Sequence, residues 1–287
     1  MSEIVRGWLE RGLDGWRIAA ASSVGRYRNL ELNAEIARWT RDEAGEAPLI
    51  AEFWHDFRIE LDGHGWHGAM NYSGFLKPVW WWLRGGPIGR DTFDVFSFAP
   101  APSYGGGQAA SVMRSSRAGL PWDATLQSWL LLDTHDTPRF RNVAGALDRQ
   151  LVGIGLQMTS PGVPMIYGGA EIGLEGDSGR DARRTIPWDD TSSWDKRLLG
   201  EYTKLVRLRR SSDALARGGH RYLHIADDVL VYERESKVER LLCLAARAAH
   251  EAVSVPFSVL ETLYGDDAKN GVLPSHGPAF HVWRIVD

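Results

Sequence analysis

Cysteine and long apolar runs are both scarce in this chain of 287 residues. No segment approaches the roughly 20 consecutive apolar residues that a membrane-spanning helix needs. The first residues alternate charged and apolar side chains without a central apolar run, so we expect no secretory signal peptide. The single cysteine, Cys243, excludes an intramolecular disulfide and fits a reducing compartment, from which we predict a cytoplasmic protein. Because Cys243 lies in an apolar run, we expect a buried thiol.

A strong charge of one sign is also missing, since the net charge is -4 and no lysine-rich run occurs. This balance excludes a general nucleic-acid binder. A composition of 44% hydrophobic and 24% charged residues is typical of a globular protein. The histidines at positions 55, 64 and 67 match no standard zinc spacing. We therefore predict no metal and no cofactor.

The hydrophobic pattern alternates between strand-like and helix-like segments over most of the chain. We predict strands at 15–20, 48–54, 68–72, 129–133 and 162–167. Helical stripes lie between them, at 4–9, 32–39, 74–84, 144–154 and 198–208, and residues 85–107 are interpreted as a long loop. Such alternation predicts a parallel sheet or a β/α barrel. After residue 217 short apolar runs are broken by turn residues, which predicts two domains, at 1–217 and 218–287, the second a small β-sandwich-like one.

Four short motifs occur at the predicted strands. Asp-Gly-Trp-Arg-Ile occupies 14–18, Leu-Ile-Ala-Glu ends at Glu52, Thr-His-Asp occupies 134–136, and Pro-Gly-Val-Pro-Met-Ile-Tyr occupies 161–167. In this order they resemble the motifs of strands four, five, seven and eight of the α-amylase superfamily, glycoside hydrolase family 13. Each motif alone is weak, but four in order at strand ends are a strong signal.

The resemblance implies a partial (β/α)8 TIM-type barrel, made of strands four to eight, followed by a small antiparallel β domain. It also implies a retaining glycosidase of carbohydrate metabolism that acts on α-glucosidic bonds, with an α-linked glucose oligosaccharide as ligand. Five strands cannot close an eight-stranded barrel. Since open sheet edges pair with other chains, we expect self-association through those edges.

The resemblance assigns roles to five side chains at the barrel mouth. Retaining glycosidases use two carboxyl groups about 5–5.5 Å apart, one as acid/base and one as nucleophile. By resemblance Glu52 is the acid/base and Asp136 stabilises the transition state. Arg17 is expected to hold the nucleophile, and His135 is expected to hydrogen-bond a sugar hydroxyl. Trp54 is expected to contact the substrate. For Trp54, packing within the protein explains the sequence equally well.

The departures from the family pattern bear directly on activity. Position 19, where the family has its nucleophilic aspartate, is Ala19, and a methyl group cannot form a glycosyl ester. Thr134 replaces the usual asparagine of its motif. The family's strands one to three precede the first motif found here, so we expect the sugar-binding Asn-His motif of that region to be absent.

Three functions remain open from the sequence. The first is a hydrolase by lineage with impaired activity, and a transglycosylase would use the same carboxylates. The second is a non-catalytic sugar-binding relic. The third is a gene fragment, or one half of a split enzyme whose partner supplies the first three strands. Because the nucleophile is missing, the mechanism favours the sugar-binding relic and the fragment or half enzyme. The motifs favour descent from a hydrolase.

Overall fold

A computed structural model describes residues 2–23, 30–61, 63–85 and 101–286. Its α-helices are α1 (Ser2–Leu9), α2 (Leu30–Ala44), α3 (Lys77–Leu83), α4 (Gly106–Ala118), α5 (Trp122–Gln127), α6 (Phe140–Ala144), α7 (Leu147–Thr159), α8 (Lys196–Ser211) and α9 (Asp213–Arg217). Its strands are β1 (Trp16–Ile18), β2 (Leu49–Phe53), β3 (Gly68–Asn71), β4 (Trp129–Leu131), β5 (Val163–Met165), β6 (Gly219–Ile225), β7 (Val229–Glu235), β8 (Arg240–Ala246), β9 (Ser258–Tyr264) and β10 (Ala279–Val286).

The first five strands form one parallel sheet in chain order, β1-β2-β3-β4-β5. In its register Arg17 lies opposite Ile50, and Glu52 lies opposite Met70. All five residues of β2 are buried, as expected for a parallel strand covered on both faces. The predicted α/β architecture with a parallel sheet is confirmed. Because every strand runs the same way, the predicted motif ends meet along one edge of this sheet.

The sequence also explains how the long helix α8 begins and which face it buries. The Asp195 carboxylate accepts the backbone N–H of Leu198 at 3.0 Å and so caps the helix. Leu198, Tyr202 and Leu205 recur at helical spacing and are buried. The exposed remainder of α8 carries mostly charged side chains.

Three local predictions need correction. The predicted helix over 144–154 is two helices, because Gly145 adopts a φ of 69° and ends α6 before α7 begins. Helix α4 was not predicted, since its Gly-, Ser- and Ala-rich sequence has a weak apolar stripe, and it begins inside the predicted loop 85–107. Residues 86–100 of that loop lie outside the described residues. The helix predicted over 74–84 starts with a π-helical turn, Tyr72–Leu76, before α3.

The last five strands form an antiparallel sheet of order β6-β7-β8-β10-β9, which confirms the prediction of an antiparallel sheet after residue 217. Strand β8 buries Cys243, and this burial raises the pKa of the thiol to about 12. The two sheets share one apolar core through α7, where Gly155 allows the ring of Phe280 to lie against the helix. Across the described parts of the chain, no helix is both long and apolar enough to cross a membrane.

Candidate active site

Glu52 is buried near the carboxyl end of β2 and is held through both carboxylate oxygens. The Arg17 guanidinium, from neighbouring β1, forms an ion pair with Oε1. The backbone N–H of Ala20 donates to Oε2 at 2.8 Å. Ala20 has a φ of 46°, in the left-handed region that non-glycine residues seldom adopt. The chain therefore turns sharply after β1 and directs an amide at the carboxylate.

Ala19 lies between the two residues that hold Glu52. It follows the last residue of β1 and is exposed. Arg17 pairs with Glu52 and also places its Nε 3.3 Å from the Met70 sulfur. The structure thus brings Arg17 and Glu52 together, as the motifs predict, and Glu52 is the carboxylate that Arg17 binds.

Tyr72, directly after β3, joins the Glu52 side of the site to the Asp136 side. Its hydroxyl donates to Thr134 Oγ1 at 3.1 Å, and its ring stacks on Trp54 with centroids 4.0 Å apart. Burial raises the pKa of the Tyr72 hydroxyl well above its ordinary value. The Thr134 hydrogen bond lowers it, and the negative charges of Glu52 and Asp136 raise it further. Sequence analysis did not identify Tyr72, although its position at a strand end was a usable signal.

Asp136 is held by the turn after β4 and by contacts with the side chains of Arg183 and His135. Its backbone N–H donates to Thr134 Oγ1 at 3.2 Å. Its carboxylate lies 2.9 Å from Arg183 Nη2 and 3.2 Å from the ring Nε2 of His135. Arg183 also donates to the His135 carbonyl at 2.7 Å. His135 and Asp136 are both partly exposed, so a ligand can reach them.

The two tryptophans near β2 have different environments. Trp66 is buried and packs edge-on against Phe53, so it is a core residue. Trp54 remains half-buried, stacks on Tyr72, and its carbonyl accepts Lys77 Nζ at 3.2 Å. One face of Trp54 is therefore committed to Tyr72. Its partial exposure leaves the proposed sugar contact to be tested.

Asp133 and Arg139 lie behind the site, and sequence analysis assigned neither of them a role in it. Asp133 is buried and accepts the Phe140 N–H at 2.9 Å. Burial raises its pKa to about 6, against the opposing effects of that hydrogen bond and of Arg139. Arg139 lies 3.9 Å above the Tyr167 ring and donates to two backbone carbonyls, of Ala182 and Tyr167. These contacts fix the segments on which Asp136 and Arg183 lie.

The histidines singled out from the sequence have local partners. His55 Nε2 lies 3.0 Å from Glu60, and His67 Nδ1 accepts the Leu49 N–H at 3.1 Å. Within the described ranges, one group of three potential metal-ligand side chains converges, with ligand atoms within 4.8 Å of one another. It belongs to the antiparallel sheet and consists of Asp266, His276 and His281. Sequence analysis did not identify this group, because its members come from separate turns and strands.

The chain is similar to several enzymes named for α-glucans. Neopullulanase 2 of Thermoactinomyces vulgaris is 30% identical over 231 residues, covering 80% of this chain and 36% of the relative. A cyclomaltodextrinase of a Bacillus species is 29% identical over 239 residues, covering 82% of this chain and 39% of the relative. The chain thus spans less than half the length of these relatives. No family profile matches the chain.

Solved structures agree with these relatives. A debranching enzyme of Nostoc punctiforme superposes with a TM-score of 0.84 at 24% identity, covering 99% of this chain and 60% of that one. Cyclic α-maltosyl-(1→6)-maltose hydrolase of Arthrobacter globiformis, in complex with maltose, superposes with a TM-score of 0.70 at 25% identity, covering 88% and 53%. Together with the motif residues at the edge of the parallel sheet, these similarities show that the chain is a relative of the α-amylase family over about 80% of its length.

Proposed function

We propose that β1 to β5 correspond to strands four to eight of a (β/α)8 barrel. Their parallel order and the position of each motif at a strand support this assignment. We also propose a first domain at 1–217 and a second, β-sandwich-like domain at 218–287. Helix α9 ends at Arg217 and β6 begins at Gly219, which supports that boundary.

We propose that the candidate active site binds α-linked glucose oligosaccharides without hydrolysing them. One observation carries this proposal: Arg17 pairs with Glu52, and the adjoining family nucleophile position holds Ala19. Retaining glycosidases need a second carboxyl group about 5–5.5 Å from the first to form the covalent intermediate. The methyl group of Ala19 supplies no such nucleophile.

The bonds to Glu52 oppose catalysis as well. A general acid must place its carboxyl group within hydrogen-bond reach of the leaving group. Both oxygens of Glu52 accept hydrogen bonds within the protein, one from the Arg17 guanidinium and one from the Ala20 amide. Glu52 in this chain therefore acts as the counter-ion of Arg17.

Binding needs fewer groups than hydrolysis, and several suitable ones remain. His135, Asp136 and Arg183 offer donors and acceptors at the partly exposed rim. Trp54 adds an aromatic surface, and its stacking on Tyr72 holds the ring in place. The relatives named for pullulan, cyclomaltodextrin and maltose-containing sugars support an α-glucan ligand. A cytoplasmic location, proposed from the single buried thiol, is compatible with this ligand.

The test is turnover of nitrophenyl α-glucoside by the native chain and by a Glu52→Gln variant. Loss of a nucleophile from a cooperating catalytic group costs on the order of 10⁶-fold in rate, by analogy with a protease triad. We expect the two proteins to release nitrophenol at the same background rate. Release by the native chain above that of Glu52→Gln would contradict the proposal and restore the hydrolase interpretation.

A further inference from the structure

A cavity of about 590 Å³ lies between helix α8 and the antiparallel sheet, lined by a different set of residues from the candidate active site. One wall is a face of α8, where Arg197, Glu201 and Lys204 recur at helical spacing. The opposite wall comes from the ends of β9 and β10, with Tyr264 and His281 among its residues. A volume of this size falls in the range of small-ligand sites.

The charged groups of this cavity are already paired with one another. Arg197 lies 3.0 Å from Asp148, and Lys204 lies 2.8 Å from Glu201. The Tyr264 hydroxyl donates to Glu201 at 2.7 Å. The lining therefore offers alternating donors and acceptors with little excess of either charge. Such a surface suits a neutral ligand with many hydroxyl groups better than an anion or a cation.

His281 contributes a donor that is not used by the rest of the chain as described. The side chain is 2% exposed, and its Nδ1 accepts the backbone N–H of Asp266 at 2.9 Å. The lone pair is therefore on Nδ1, which places the proton of the neutral ring on Nε2. Nε2 is buried and has no hydrogen-bond partner among the described residues. An unpaired buried donor is costly, and it calls for an acceptor.

The same tautomer argues against a metal at Asp266, His276 and His281. A histidine binds a metal through a free lone pair, and its other nitrogen usually donates a hydrogen bond. In His281 the lone pair is taken by the Asp266 amide, and Nε2 carries the proton. The Asp266 backbone is held in that position because its carbonyl accepts the Trp283 indole N–H at 2.9 Å. The exposed members of the cluster, Asp266 and His276, are thus available to hydroxyl groups.

We propose that this cavity binds a short neutral oligosaccharide at a second site. Asp148, Glu201 and Asp266 accept hydrogen bonds from sugar hydroxyls, while Arg197 and Lys204 donate to them. Leu151 and the ring of Tyr264, both partly exposed, supply apolar surface for the C–H faces of the sugar ring. The choice of an α-glucan as the sugar rests on the proposed function, whereas the preference for a neutral polyol rests on the cavity alone.

The experiment is a titration of the full chain with maltotriose, followed by NMR of labelled leucine and methionine methyl groups. Leu151 and Leu263 line the cavity, whereas Met70 contacts Arg17 in the candidate active site. We expect the Leu151 and Leu263 signals to shift with a saturable dependence on maltotriose. Glu201→Ala should raise the dissociation constant at the cavity about tenfold, because the sugar loses a charged acceptor, and leave the Met70 response unchanged.

Two further variants keep this test decisive. Tyr264→Phe removes one hydroxyl and keeps the ring, so it replaces Glu201→Ala if that variant does not fold. Tyr264→Phe should also weaken maltotriose binding as measured by the Leu151 and Leu263 signals. Arg217→Ala is the control, because it removes an exposed arginine that lies outside the cavity and pairs with Asp213. It should change neither the leucine response nor the Met70 response. Leucine methyls that stay fixed up to the solubility limit of maltotriose would overturn the second site. A Zn²⁺ titration that moves them where maltotriose does not would also overturn it.

The two sites can fail separately. A Met70 response without a leucine response contradicts only the second site. A leucine response without a Met70 response contradicts the proposed function of the candidate active site and leaves the cavity as a sugar site.

Discussion

Among the described residues, each sheet buries one glutamate, and the two are held differently. In the antiparallel sheet, Glu233 on β7 lies between Arg221 of β6 and Arg240 of β8, at 2.6 and 2.7 Å. In the parallel sheet, Glu52 is held by Arg17 from one neighbouring strand and by the amide of Ala20 after a turn. Glu233 therefore ties three strands together, whereas Glu52 faces the edge where the motif residues meet.

The difference separates a structural carboxylate, Glu233, from Glu52, for which we propose a position in the candidate active site. A mid-strand glutamate with arginines on both adjacent strands has every oxygen satisfied within the sheet. A strand-end glutamate depends on the loop that follows the adjacent strand, and here that loop contains Ala19. Burial alone does not distinguish the two residues, since both are less than a tenth exposed. Their position along the strand does.

The largest effect on stability is expected for Glu233→Ala. Removing the Glu233 charge deprives Arg240, itself largely buried, of its 2.7 Å ion pair and leaves it the Glu235 carboxylate at 4.0 Å, and breaking a buried pair typically costs about 3–5 kcal/mol. We expect about 3 kcal/mol here, because Arg221 is mostly exposed and stays hydrated. Urea unfolding measures the change. Glu235→Ala is the control, because it removes an exposed carboxylate on the same strand that reaches Arg240 only at 4.0 Å, and equal stabilities of the two variants would contradict the structural role of Glu233.

A pH-dependent effect of about the same size is expected for Asp133→Asn. The folded-state pKa of Asp133 is about 6, above the unfolded value near 3.8, so the folded chain binds the proton more tightly. Ionisation of Asp133 thus lowers stability as pH rises from about 4 to about 6. Above that range the wild type has lost about 3 kcal/mol relative to a neutral residue.

Unfolding curves of both proteins at several pH values test this sign. Asp133→Asn should be more stable than the wild type at pH 7.5, and the difference should vanish below pH 4. A variant that is less stable than the wild type at pH 7.5 would show that the Asp133 charge stabilises the fold, contrary to the burial argument.

The smallest effect concerns self-association at the sheet edges, which we propose from the open ends of the parallel sheet. In the described residues, β1 and β5 each pair with one strand only. Val163 on β5 is 44% exposed, and Ile166, directly after the strand, is partly exposed as well. A lysine at position 163 would oppose edge-to-edge pairing. We expect Val163→Lys to lower the mass measured by light scattering. A monodisperse monomer of the unmodified chain would contradict self-association.

The sequence predicted the elements whose signal is local or carried by a motif. The five parallel strands were found because each combines an apolar run with turn residues, and Arg17 and Glu52 were expected at the same barrel mouth because adjacent parallel strands end together. Tyr72 and Arg183 were missed as site residues, since their contacts join segments far apart in the chain. Asp133 was predicted only as the last residue of a strand. The left-handed Ala20 was missed because alanine carries no signal for a positive φ.

Maltotriose binding observed at the Met70 methyl group tests the central claim most directly. Met70 contacts Arg17, so a sugar in the candidate active site should shift its signal, and buried Met158 on α7 provides an internal reference. We predict a saturable Met70 shift, weakened by Trp54→Ala, with no glucose or maltose released during the titration. A Met70 signal that does not respond, or a response accompanied by release of glucose, would contradict the account of a sugar-binding site that lacks its nucleophile.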